Sequence, residues 1–151
     1  MTTWSIIVIS ALGLWIGYLQ YRLAKQRSDL DLQRSKLDLY DKRYPVFLAT
    51  IKYLEFIASC RNINNEELDK FKRISMDNEF LFGEDVQQYL DILYKKGHDF
   101  QIYHLELDDH TLPMEKRERL VKKQDELLNW FREQFKESYE VFKKYLAIDK
   151  K

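Results

Sequence analysis

The sequence predicts an all-α protein: one N-terminal transmembrane helix, then an antiparallel bundle of three long helices and one short one. Three observations carry this prediction. No charged side chain occurs before Arg22. From Leu23 onward, apolar residues recur every seven positions. The chain also holds only 4 Gly and 2 Pro in 151 residues, with 33% charged, a composition that favours long helices over a loop-rich or many-stranded fold. Three regions follow: an anchor over 1–24, a heptad stalk over 25–44 and a helical body over 45–151.

The first element is the uncharged stretch TTWSIIVISALGLWIGYLQY, Thr2 to Tyr21. About 20 such residues at about 1.5 Å each match a hydrocarbon layer of roughly 30 Å. Trp4 lies near one end and Tyr18 and Tyr21 near the other, where amphipathic rings favour the headgroup zones. A signal peptide would carry a basic leading region, and Met1-Thr2-Thr3 has none. Arg22, Lys25 and Arg27 precede the first acid, Asp29, so the positive-inside rule sets the N-terminus outside and the body in the cytoplasm. Membrane lipid is thus the first expected partner.

The second element is the stalk, where SDLDL at Ser28 is echoed by SKLDL at Ser35. Leu-Asp-Leu alone suits a strand, but the wider window does not. Leu23, Leu30, Leu37, Tyr44 and Ile51 occupy heptad position a, and Gln26, Gln33, Tyr40, Phe47 and Leu54 occupy d. In a parallel homodimer, Asp29 at g faces Arg34 at e of the second copy, and Lys36 faces Asp41; Arg22 facing Arg27 is repulsive. Leu32, Leu39 and Val46 also recur every seven, at c, so the helix is expected to meet something on two sides. The alternative is that Leu30 and Leu37 pack on helices of the same chain. Gly13 and Gly17 form a GxxxG that lets two membrane helices approach closely. On a straight helix that stripe lies well away from the leucine seam. Either the helix is interrupted or the assembly has two interfaces and exceeds a dimer.

The body follows in order. Pro45 is expected to kink the long helix or to mark a fresh start after Asp41. Val46 to Ala58 is apolar nearly all round and is expected in the core, with Cys60 a small buried residue. CRNINN is a turn, Glu66 to Ile74 a short helix, and Phe80, Leu81 and Phe82 plug the bundle. Val86, Leu90, Leu93, Phe100 and Leu107 predict a helix over Glu84 to Leu107, with Gly97 its weak point. After DDHTLP, Pro113 suits the first turn of a last helix. Its buried face is Leu120, Leu127, Phe131 and Phe135, extended by Val121, Leu128, Tyr139, Phe142 and Leu146, and it is expected to reach Ile148.

Little here points to catalysis. His98, His104 and His110 are six apart, which on a helix turns neighbours about 240° from one another and prevents an i,i+4 metal pair. A hydrolase or metal enzyme built on His104, Glu106 and His110 is the weaker reading; the acids fit a solvated helix end. No phosphate loop, GxSxG or HExxH occurs. With 25 basic and 25 acidic residues, the chain is no generic nucleic-acid binder. No catalytic residue, metal ligand or cofactor is assigned.

KLDLYDKRY (Lys36 to Tyr44), FLFG (Phe80 to Gly83), Trp130-Phe131 and FKKYL (Phe142 to Leu146) together resemble a family of small uncharacterised bacterial proteins. Those proteins have one N-terminal span and a helical cytoplasmic domain. The resemblance covers most of the chain after the span and implies a bacterial inner-membrane location, but no activity. It makes Asp41, Lys42, Arg43 and Tyr44 the polar cluster to test first. The expected function is non-enzymatic. A membrane-anchored bundle self-associates through Gly13, Gly17, Asp29, Leu30, Arg34, Lys36, Leu37 and Asp41 and presents its body to a protein partner. The alternative is a membrane-acting effector, a toxin or phage-defence component whose spans assemble to perturb the bilayer.

Overall fold

The computed structural model describes residues 2–60, 63–77 and 80–147, with backbone alone for 2–11 and 77. Four helices follow one another: α1 (Thr2–Cys60), α2 (Asn65–Asp77), α3 (Glu84–Leu107) and α4 (Met114–Leu146). The chain divides into two compact units, Met1–Asp38 and Leu39–Lys151.

The membrane span is corrected. Among the described residues, no helix is long and apolar enough to cross a membrane. Ten described side chains, Leu12 to Tyr21, precede Arg22; they cover about 15 Å of helix, half of a hydrocarbon layer, and Gly, Tyr and Gln dilute them. The earlier side chains of that stretch, those of 2–11, lie outside the described residues.

In the first unit α1 is exposed along its described length. In the second, residues 39–60 of α1 join α2, α3 and α4 in a bundle. Arg43 meets the residues just before α3, and Tyr53 meets Gly97, so α1 and α3 run in the same direction. Asn65 bonds Gln101 while Lys72 lies over the Tyr94 ring, so α2 runs back against α3. Phe131 packs at Tyr53 and Phe142 at Phe47, so α4 is antiparallel to α1.

Pro45 neither stops nor restarts the helix: it lies inside α1. Proline forfeits one i→i−4 bond, and the local environment offsets that loss, since Val46, Thr50, Leu54 and Ile57 are all buried just beyond it. Val46 to Ala58 is not buried all round. Its core face is Val46, Thr50, Tyr53, Leu54 and Ile57, whereas Leu48 is exposed. The core continues with Val86, Leu90, Leu93, Phe100, Leu128, Phe131 and Phe142.

Other corrections concern single side chains. Cys60 is exposed at the end of α1, and 61–62 of the CRNINN turn lie outside the described residues. Phe80 does not plug the bundle; it is 96% exposed, while Phe82 turns inward on Phe142. Val121 and Tyr139 fall on the wet side of α4. They flank the buried stripe by one residue, a rotation of about 100° that takes a side chain off the core.

Gly97 is a contact point. A Cβ there would collide with the Tyr53 hydroxyl and press on Leu68 Cδ1 at 3.2 Å. Helix α2 is entered through Asn64, whose Oδ1 accepts the Glu67 N–H at 2.9 Å and satisfies a first-turn donor. Pro113 stands at the N-cap of α4.

Candidate functional site

Two regions answer to the residues singled out by sequence. The first is the α1 face of the first unit. Among the described residues, Leu23, Leu30 and Leu37 are 54%, 55% and 50% exposed. Leu32 and Leu39 are exposed as well. Gln26, Asp29, Gln33, Arg34 and Lys36 are exposed around them. A Cβ added at Gly13 or Gly17 would meet nothing within 4 Å, so that stripe too is open. Helix α1 runs as one helix past both stripes.

The second region lies at the α1–α3–α4 end of the bundle, where the strings DKRY, FLFG and FKKYL converge. Arg43 Nε donates to the Leu81 carbonyl at 2.7 Å, and Nη1 donates to the Tyr145 carbonyl at 3.3 Å. Its guanidinium carbon stands 5.3 Å from the Tyr145 ring centroid and 5.9 Å from that of Phe82. The Tyr145 hydroxyl accepts the Gly83 N–H at 3.0 Å and donates to Asp85 Oδ1 at 2.7 Å. Lys144 Nζ completes the group, 2.8 Å from Asp85 Oδ2. The Lys144 ammonium, then the Tyr145 hydroxyl, hold the Asp85 carboxyl below its ordinary range, and the same ion pair raises Lys144. A side chain on Gly83 would strike the Tyr145 hydroxyl.

Of the cluster Asp41–Tyr44, Arg43 enters this junction. Asp41 and Lys42 stay exposed, and Tyr44 stacks on Tyr40 with ring centroids 5.6 Å apart. Gly83, Asp85 and Tyr145 were not singled out individually from sequence, and Leu81 was expected only as a plug of the bundle. Their signal was the co-occurrence of FLFG and FKKYL with DKRY.

The arrangement suits fastening, since a guanidinium fork closes carbonyls that would otherwise be left at the end of α4 and in the 81–83 loop. The DDHTLP acids are used similarly. Asp109 Oδ1 accepts the Thr111 N–H and hydroxyl at 2.9 and 2.6 Å, and Arg117 reaches the Leu107 and Asp109 carbonyls. Among the described residues no group of three or more His, Cys, Asp and Glu could hold a metal ion. Comparison with protein-family models, with curated proteins and with solved structures finds no match to this chain.

Proposed function

We propose that this protein is a non-enzymatic self-association module, in which the first part of α1 pairs with a second copy in parallel and the helical body is presented to a protein partner. The observation that carries the reading is the exposure of Leu23, Leu30 and Leu37 at one heptad position. Apolar residues sustained on a helical seam are normally covered by another helix, and among the described residues these three stay at least half exposed. The Asp29 and Arg34 side chains flank the seam with opposite charge at g and e, the pattern that favours a parallel copy. Disulfide cross-linking of the full-length chain tests it. In a Cys60→Ala background, a cysteine at Leu30 is expected to link to itself and one at Asp31 is not. Equal linking at both, or none at either, sinks the proposal.

A second reading concerns lipid. Leu12, Leu14, Trp15, Ile16, Tyr18, Leu19 and Tyr21 are all exposed in a stretch without charge, which supports attachment of this end to a membrane. Cell fractionation tests it: the full chain should sediment with membranes and lose that property when Leu14, Trp15 and Ile16 become Ser. Recovery of the unaltered chain in the supernatant overturns it.

A further inference from the structure

The heptad register of α1 does not stop where its exposure stops. Positions d and g, which a parallel coil needs beside its a residues, change environment along the helix. Asp29 and Lys36 at g are exposed, Arg43 is half-buried in the junction, and Thr50 and Ile57 are fully buried. At d, Gln26 and Gln33 are exposed, Phe47 is packed against Phe142, and Leu54 is fully buried. One uninterrupted pattern therefore serves two kinds of neighbour.

We infer that the two-copy contact is confined to the heptads before Arg43, and that the chain's own bundle competes for the rest. Tyr44, Phe47, Ile51 and Leu54 remain in phase with Leu23, Leu30 and Leu37. Tyr44 is exposed and Ile51 half-buried, but Phe47 packs on Phe142 of α4 and Leu54 is fully buried, so the d side of the seam can continue the coil only when the bundle releases those two. This rests on the self-association reading and adds to it a regulation: loosening of the bundle lengthens the coil. The occupant is a second copy because the Asp29 and Arg34 charges complement each other across a parallel pair and lie on the open face itself. Arg43 marks the handover. Its guanidinium bonds are made to Leu81 and Tyr145 of its own chain, so this g residue is committed to the junction.

The experiment places single cysteines at Leu37, Ile51 and Lys52 of the full-length chain with Cys60→Ala. Dimers are counted after brief copper–phenanthroline oxidation in whole cells. Ile51 shares position a with Leu37, while Lys52 is one residue off it and exposed. The expected result is a strong dimer at 37 and at least tenfold less at 51 and 52. Phe142→Ala, which removes the α4 ring against Phe47 and Phe82, should then raise linking at 51 but not at 52. Linking at 51 in the unaltered bundle overturns the inference while leaving self-association standing. So does a Phe142→Ala chain in which 51 stays silent, or in which 51 and 52 link alike. No linking at 37 removes the self-association reading, and this inference with it.

Discussion

Arg43 donates from Nε to the carbonyl oxygen of Leu81, 2.7 Å away and 38 residues further along the chain. This bond, with the second to Tyr145, ties α1 to the start of α3 and the end of α4 at one point. Arg43→Ala leaves both carbonyls without their donor and the Phe82 ring without its cation, while Lys144 stays over the Tyr145 ring. Hydrogen bonds to charged groups contribute about 1.5–3 kcal/mol each when buried; partial exposure and the long 3.3 Å second bond bring the expected loss below that, to about 1–2 kcal/mol in all. Arg43→Lys should recover little of it, because a lysine has no planar fork to reach two carbonyls and stack on rings. Urea unfolding midpoints of the three chains check this; equal midpoints for Lys and Arg would show that charge alone suffices.

Tyr53 and Gly97 make a second prediction. The Tyr53 hydroxyl is buried, no hydrogen-bond partner is within reach of it among the described residues, and burial pushes its pKa above the ordinary range. The ring stacks on Phe71 with centroids 4.0 Å apart, so the aromatic body has its own place in the core. Tyr53→Phe should therefore be neutral or stabilising, by up to about 1 kcal/mol, since it deletes an unsatisfied polar atom. Gly97→Ala should destabilise, by about 1–3 kcal/mol, through collision with that same hydroxyl. The two effects should not add. In the Tyr53→Phe background the Gly97→Ala penalty should shrink by more than half, a double-mutant cycle read by thermal unfolding.

How much of this was legible beforehand depends on the kind of signal. Helix α3 was readable to its ends, because Val86, Leu90, Leu93 and Phe100 repeat at helical spacing and DDHTLP breaks the pattern. The course of α1 through Pro45 was not. A proline's local cost is visible in a sequence, whereas the burial of Thr50, Leu54 and Ile57 that offsets it is tertiary. Phe80 and Phe82 show the same limit: two identical residues, two apart, of which one is wet and one is core. The Arg43 junction was half legible. Its strings stood out together, but a guanidinium bound to backbone carbonyls leaves no mark on the residues that supply them. The membrane expectation rested on one stretch without charge, and the described half of it is too short and too polar.

Tyr89 supplies a pH dependence. Its hydroxyl lies 2.7 Å from Ser138 Oγ and 3.2 Å from the Gln134 carbonyl, and burial pushes its pKa up to about 12. In the unfolded chain the group titrates near 10. The folded value is the higher one, so the contribution of neutral Tyr89 to stability is whole below pH 10 and is lost as pH rises from 10 to about 12. Tyr89→Phe should flatten that alkaline loss while costing about 1 kcal/mol at neutral pH for the missing bonds. Unfolding midpoints at pH 8, 10 and 11 for both chains check the sign. A Tyr89→Phe chain that loses stability as steeply as the parent would place the alkaline transition elsewhere.

The charges beside the seam give the last prediction. Exposed ion pairs contribute about 0.2–1 kcal/mol each, so they select an orientation more than they hold it. If Asp29 faces Arg34 of a second copy, Asp29→Arg sets two cations together twice in each symmetric pair. Self-association should then weaken by about fivefold to thirtyfold, following from roughly 1–2 kcal/mol in all. Arg34→Asp should weaken it comparably by pairing two acids. The double variant Asp29→Arg/Arg34→Asp restores opposite charges with their positions exchanged, and should regain most of the loss. Sedimentation equilibrium of the four chains at low salt reads the constants directly, and the differences should fade as salt rises. Raised salt also separates this from a change in the fold, because a misfolded variant would stay weak when the charges are screened. A double variant no tighter than either single one would mean that these two side chains do not meet across copies, and that the leucines are covered by some other surface.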